Sequence, residues 1–508
     1  MKSSKTKNWI GSVIILLSLI LGYFSVRLYA LTSLPIFTDE AIYIRWSQIG
    51  SRDASWRFIS LVDGKQPLFT WIMMVYLKIF HDPLFAGRFV SVSAGFMTLL
   101  GLMCLSYYLF RNKKITCITA LLYLVSPFSL MYDRLALYDS LVAALSVWNL
   151  FLGILLVKTV RLDAALLFGM TLGLGMLNKT SGFLSLYLLP LTLILFDFKQ
   201  KAWQKRFALW IGLALISAVI SQALYGVLRL SPMFSMISQK DTVFVYPLSE
   251  WIYHPFRFLE GNLSGMFDWV KGYLTWPIVV SIGVSFFVLR KYIKEKTLLF
   301  LWMLTPFVGL ALFGRVLYPR FIFFMVMPLL LLSAVTLGSA YERVRNKFLA
   351  GFIVFLCILP SLYMDYFIIF SPTTAPIPKS DKGQYIDDWP SGWGVPEVNA
   401  FLGNQILKGK INVYTEGTFG LMPYAIEIYY VDNPNIKIKG FWPVPKEIPP
   451  EILEDAQKEP TYVLFYQSQA VPSAWPLKLI YEKQKNEGKS IPLRLYEVIP
   501  LKSPLETL

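Results

Sequence analysis

The sequence predicts an α-helical, polytopic membrane protein with a soluble α/β or α+β domain at its C-terminal end. Three observations carry that fold class. Of 508 residues, 55% are hydrophobic and only 16% are charged, against about 25% charged in an ordinary soluble domain. Apolar runs recur along the first 370 positions, at the length of about 20 residues that a helix needs to cross a bilayer. After residue 371 Pro, Asp and Lys become frequent, and short β-like runs replace the long apolar ones.

The N-terminal stretch MKSSKTKNWIGSVIILLSLILGYF has a basic start and a long apolar core, with no A-x-A site after it. It therefore reads as a first transmembrane helix with a cytoplasmic N-terminus, not as a cleaved signal peptide. Further spans follow at 84–110, 115–132, 139–158, 162–178, 181–197, 207–229, 273–290, 297–314, 320–338 and 349–370, eleven in all. Strict alternation then puts MKSSKTK, RNKK, KTVR, KQKAWQKR, RKYIKEK and RVRNK in the cytoplasm, and every one is rich in Lys or Arg. Positive-inside charge is how membrane topology is written. It also accounts for the net charge of +16 and argues against a nucleic-acid partner.

The layout that follows is a transmembrane domain over 1–370, with long outer loops at 32–83 and 230–272, and an extracytoplasmic soluble domain over 371–508. Both loops carry amphipathic stretches suited to the interface. PTTAPIPKSDKG reads as a linker. Beyond it INVYT, IKIKGF, TYVLFYQ, LKLIYE and LRLYEV read as strands. YTEGTFG, with Glu416 before a Gly turn, reads as a loop entering a helix, with acceptor recognition as its second reading.

Several chemistries are poorly served. Three cysteines all lie inside apolar runs, only His81 and His254 are present, and there is no HExxH, P-loop or GxGxxG after a strand. Charge gathers instead at the outer ends of the helices. Asp39 and Glu40 open the first loop, and Asp63 and Lys65 follow. Asp133, Arg134 and Asp139 lie at one junction, Lys179 in LNKTSG at another, and Arg315, Tyr318 and Arg320 at a third. The middles of the spans hold almost no ionisable residue. Ion-coupled transporters place acids near the bilayer midplane, whereas one interfacial layer suits a lipid-borne, phosphate-containing substrate. There a carboxylate can take a proton from an attacking hydroxyl, and cations can stabilise the phosphate as it leaves. Each residue also has a plain structural reading. Thr38 suits an N-cap with acids behind it on the helix dipole. Lys65 suits a snorkelling side chain, Arg134 and Asp139 an ion pair, and the aromatics an interfacial belt.

These residues resemble the GT-C class of membrane glycosyltransferases that use polyprenyl-phosphate sugars. The chain is most similar to bacterial relatives of protein O-mannosyltransferases and of the lipid A aminoarabinose transferase. The resemblance covers roughly 1–370 and rests on Asp39-Glu40 followed by Tyr43, on Lys65-Gln66-Pro67-Leu68, and on Arg134 with Asp139 five residues on. LNKTSG resembles the family's Lys-Gly turn with Thr180 in the Gly position, and YPRFIFFMVMP its helix start with Phe321 where Tyr is common. The resemblance implies Asp39 as general base, with Glu40 shaping the same pocket. It implies Lys65 and an arginine (Arg320, Arg257 or Arg134) on the donor phosphate, and Asp139 orienting Arg134, the sugar or the first loop. Tyr43, Gln66, Lys179 and Tyr318 complete the substrate-binding set. Asp39, Glu40 and Asp139 offer oxygen ligands to a divalent cation, but the sugar-phosphate users in this class imply no essential metal and no cofactor beyond the donor. The implied reaction moves one sugar, with inversion, from a polyprenyl phosphate to a lipid, glycan or protein on the outer face of the cell membrane. A protein O-mannosyltransferase is the narrower alternative, and a non-enzymatic flippase of lipid-linked sugars the alternative of another class.

Overall fold

The computed structural model describes residues 2–468, 470–485 and 491–500, and side chains from residue 11 onward except residue 12. The lysines of the basic start MKSSKTK lie outside the described side chains. Two compact units emerge: residues 1–31, 53–72 and 88–378 form one, and 32–52, 73–87 and 379–508 the other.

In chain order the helices are α1 (Lys2–Leu28), α2 (Thr38–Arg52), α3 (Leu68–Tyr76), α4 (Pro83–Phe110), α5 (Lys113–Leu124), α6 (Pro127–Asp133) and α7 (Tyr138–Thr159). Next come α8 (Leu162–Asn178), α9 (Leu184–Leu188), α10 (Trp203–Gly226), α11 (Met236–Phe244), α12 (Leu248–Tyr253), α13 (Leu259–Leu274) and α14 (Trp276–Ser285). The helical part closes with α15 (Ile293–Phe313), α16 (Phe323–Arg343) and α17 (Lys347–Phe370). Among the described residues six helices are long and apolar enough to cross a membrane, or seven if the bent pair α5–α6 is one span. That pair turns through 57° where Pro127 opens a new helix in its first turn, a position its fixed φ and missing N–H suit. Four further apolar helices of 10–17 residues accompany them: Val13–Leu28, Leu162–Asn178, Thr180–Leu195 and Trp276–Ser285. The protein is therefore polytopic and largely helical.

Sequence explains who packs on whom. The most apolar window of α16 is 89% buried, while that of α10 is 17% buried; α16 fills the middle of the first unit and α10 turns most of its surface outward. Between α8 and α10 the close approach comes from Gly169 and Gly173, four apart. A methyl group at Gly169 would stand 2.9 Å from the Ser217 carbonyl oxygen, and one at Gly173 2.6 Å from Leu224. Small residues at this spacing let apolar helices meet backbone to backbone, and Ser217 Oγ adds a hydrogen bond to the Ala165 carbonyl at 2.8 Å.

The second unit holds a five-stranded sheet of order β2-β1-β3-β5-β4, from β1 (Ile411–Glu416), β2 (Ile436–Phe441), β3 (Thr461–Phe465), β4 (Leu477–Lys483) and β5 (Leu493–Val498). β1 pairs in parallel with β2 and β3, and β5 lies antiparallel between β3 and the edge strand β4. Every residue of β1 and β3 is buried, as expected of parallel strands covered on both faces. The short helices α18 (Lys379–Lys382), α19 (Val395–Ile406), α20 (Leu421–Glu427) and α21 (Pro450–Lys458) complete it. All five runs read as strands in the sequence are strands here. Helix α2 and residues 73–87 belong to this unit by contact, although in sequence they sit among the apolar spans.

Candidate functional site

Within the first unit, five chain segments converge on a charged cluster. A 3-10 turn over Ile59–Asp63 ends at Gly64, whose φ of 65° is a left-handed conformation that glycine adopts without steric cost. The Lys65 amide closes the turn on the Ser60 carbonyl at 3.0 Å, so Asp63, Lys65 and Gln66 leave it together. Gln66, only 3% exposed, donates to Thr180 Oγ1 at 2.8 Å. Thr180 follows α8 in a turn that needs Gly182, where a methyl group would fall 2.2 Å from the Gly175 carbonyl carbon. Lys179 Nζ in the same turn bonds Asp139 Oδ1 at 2.7 Å, and Asp139 lies buried in the first turn of α7.

The remaining side comes from residues 315–321. Lys179 Nζ stands 4.8 Å from the Phe321 ring centroid, and the Arg320 guanidinium lies over Tyr318 at 5.1 Å and over Phe321 at 5.8 Å. Desolvation lowers the pKa of Lys179; the bond to Asp139 opposes that shift, and the nearby Arg320 and Lys65 charges add to it. Lys65 and Arg320 thus each lie within electrostatic reach of Lys179. Beyond what Asp139 and Asp63 offset, such a set leaves positive charge that suits a phosphate anion.

Arg134, Asp139 and Arg257 do not form one group. Arg134 donates to four carbonyls at the end of α1, those of Val26, Arg27, Tyr29 and Ala30, at 2.7–3.2 Å. It therefore ties down a helix C-terminus, and Asp139 pairs with Lys179 in its place. Asp133, beside it, is fully buried with Arg27 at 3.5 Å and accepts bonds from Tyr123 and Ser140. Arg257 pairs with Glu250 at 3.4 Å in an exposed position.

Two residues of the cluster went unsingled by sequence reasoning. Lys240 Nζ reaches Asp63 Oδ1 at 2.6 Å. Asp241, whose carboxyl is raised by burial, shares a hydrogen bond with Thr180. Both sit on α11, and the only sequence signal was a Lys-Asp pair inside a short stretch of mixed polar and apolar residues.

The acid pair lies in the second unit, in the first turn of α2. Glu40 is fully buried and receives the Phe37 amide at 2.9 Å, the arm of a capping box in which Phe37, not Thr38, is the N-cap. Thr38 instead bonds the Pro390 carbonyl through its hydroxyl and its amide, both at 3.0 Å. Tyr43 is buried with its ring 6.0 Å from that of Trp46. Asp39 keeps partial exposure. Arg45 bonds Glu427 at 2.6 Å and Gln48 the Ile428 carbonyl at 2.8 Å, which fixes α2 to the end of α20. Glu416 is fully buried and takes the amides of Tyr466, Gln467 and Ser468 at 2.8–3.1 Å, so its carboxylate is engaged in holding the loop after β3. Among the described residues no three of His, Cys, Asp and Glu gather as a metal site.

Residues 64–225 match the family profile described as dolichyl-phosphate-mannose-protein mannosyltransferase. Among curated proteins none matches the sequence. ArnT from Cupriavidus metallidurans in its apo state superposes with a TM-score of 0.62 at 12% identity, over 98% of this chain and 100% of that one. The same protein bound to undecaprenyl phosphate gives 0.60 at 14% identity, over 98% and 99%. An oligosaccharyltransferase from Archaeoglobus fulgidus, tethered to an acceptor peptide with an NVT sequon, gives 0.51 at 13% identity over 83% of this chain and 64% of that one. The fold is that of the GT-C class of membrane glycosyltransferases, as the motifs led one to expect.

Proposed function

We propose that this chain transfers a single sugar from a polyprenyl phosphate to an acceptor on the outer face of the cell membrane. The observation that carries the reading is the gathering of Lys65, Lys179 and Arg320, from three separate segments, around the Gln66–Thr180 and Lys179–Asp139 hydrogen bonds. Such a set suits the phosphate of a lipid-borne donor, and the undecaprenyl phosphate bound by ArnT supports that choice of ligand class. Counting the bent pair α5–α6 as one span, the long apolar helices and the four shorter ones are compatible with eleven crossings, and the basic segments at alternate ends favour a cytoplasmic N-terminus and an extracytoplasmic C-terminal domain.

In the proposed reaction Asp39 takes the proton of the acceptor hydroxyl or amine as its lone pair attacks the anomeric carbon. The bond from that carbon to the phosphate oxygen breaks, its electron pair stays on the phosphate, and the polyprenyl phosphate leaves with inversion at carbon. A phosphate leaves without a general acid, and the three cations offset its growing charge; the reading needs no metal ion. Asp139 holds Lys179 toward the phosphate, while Glu40 and Tyr43 shape the start of α2. Arg134 acts by fixing the end of α1. The profile match favours, as a second reading, mannose as the sugar and a protein hydroxyl as the acceptor.

The test is Asp39→Asn in the purified chain, with a polyprenyl-phosphate sugar and a membrane extract as acceptor source. Turnover is expected to fall by a factor of about 10²–10⁴ with binding of the polyprenyl phosphate retained. Undiminished transfer would remove Asp39 as base, and movement of the sugar lipid across a vesicle membrane with no covalent product would replace the enzyme by a flippase.

A further inference from the structure

The side chain of Lys240, outside every motif above, lies against the turn that carries Lys65. Asp63 stands between the two cations, 2.6 Å from Lys240 Nζ and 3.5 Å from Lys65 Nζ. The contact is not incidental. Gly64 is pressed on α11 so closely that a methyl group there would meet the Met236 carbonyl oxygen at 2.4 Å and Lys240 Cβ at 2.5 Å. Leu61 and Ile237 share one buried apolar cluster beneath it. The far end of α11 is tied just as firmly to the Arg320 segment. The Tyr246 amide bonds the Phe313 carbonyl and the Arg315 amide the Phe244 carbonyl, both at 2.8 Å, and the Phe244 and Phe321 rings pack at 5.6 Å. One nine-residue helix therefore joins the segment bearing Lys65 to the segment bearing Arg320.

We infer that Lys240 is a positioning residue for the donor phosphate: by holding Asp63 at the shorter distance, it keeps that carboxylate from closing on Lys65. The inference rests on the proposed donor reading. A carboxylate between two ammonium groups divides its attraction between them, and its distance to each decides the share. Without Lys240, Asp63 is expected to pair with Lys65 alone and to compete with the phosphate for it. Lys240 is thus set to tune affinity for the donor and to leave the chemical step alone.

The experiment measures kcat and KM for a polyprenyl-phosphate sugar in full-length chains carrying Lys240→Ala, Lys240→Arg, and Lys240→Ala combined with Asp63→Asn. Lys240→Ala is expected to raise KM about fivefold, the size a partly exposed ion pair supports, with kcat within twofold. Lys240→Arg should keep the parent KM, because it keeps the pair. Adding Asp63→Asn to Lys240→Ala should bring KM back toward the parent value, because a neutral amide no longer competes for Lys65. An unmoved KM in Lys240→Ala, or a raised KM that Asp63→Asn leaves raised, overturns the positioning role. Absence of sugar transfer by the parent chain itself would instead overturn the function on which it rests.

Discussion

Glu40 is fully buried and receives the Phe37 amide, whereas Asp39, one residue earlier, stays partly exposed. The acid pair was legible in the sequence, but which of its two carboxylates the fold buries was not. That depends on where α2 begins, and Phe37 takes the cap because Thr38 is drawn to Pro390, a residue over 300 positions away. Arg27 was invisible for a similar reason. It stands at the end of an apolar run like any snorkelling residue, and only the fold brings Asp133 to it. Lys485 is a third case. It is 1% exposed, and burial lowers its pKa to about 8 against the pull of Asp388 and Glu416; unfolded, it titrates near 10.4. Below pH 8 both states carry the proton and the full cost of burying the charge is present. Between about 8 and 10.4 the unfolded state binds more protons, so stability rises with pH there, by roughly 3 kcal/mol at most. Unfolding in detergent, followed by fluorescence across that range, should show the rise in the parent and a flatter profile in Lys485→Met. An equal slope in both chains would refute the assignment.

Among elements, apolar length and alternation carried most of the fold. The six long apolar helices and the bent pair α5–α6 lie where hydropathy put spans, and β1 to β5 lie where the five short runs were read. What hydropathy leaves out is how turns meet. The Lys-x-Pro-Leu element was readable as a motif, but its seat on α11 was not, since a lone Gly in a polar loop reads only as a turn. The structure makes Gly64 specific: its φ is positive and a Cβ would strike backbone on α11. Gly64→Ala is expected to cost about 1–3 kcal/mol of stability and, by shifting Lys65, to lower turnover by up to about a hundredfold. Gly212 on α10, where a Cβ would meet nothing within 4 Å, is the matched control. Gly212→Ala should leave melting temperature and initial rate close to the parent. Equal effects of the two substitutions would separate the Lys65 turn from any special dependence on α11.

For the whole molecule, the division into units runs across the order of the chain. Helix α2 follows the first apolar helix in sequence, yet its partners Pro390, Phe419, Glu427 and Ile428 all come from the C-terminal part. Nothing local in residues 38–52 encodes that, because the apolar face of a short amphipathic helix suits an interface, a bundle or a sheet domain equally well. The consequence is that the C-terminal part of the chain bears directly on the helix carrying the proposed base. Arg45 and Glu427, 2.6 Å apart and about one-fifth exposed, are the contact through which to test it. Arg45→Glu sets two carboxylates face to face where an ion pair stood. Because both side chains are partly solvated, the loss of stability should be modest, about 1 kcal/mol. Turnover should fall further than that, roughly tenfold, because small displacements of a catalytic group are costly. Arg45→Glu combined with Glu427→Arg rebuilds the pair with its sign reversed and should recover most of the rate, a coupling that a double-mutant cycle on initial rates measures. If the double variant were as slow as Arg45→Glu alone, the C-terminal domain would not be positioning α2 through this contact. If Arg45→Glu kept the parent rate, the start of α2 would be held well enough by Thr38 and Gln48 without it.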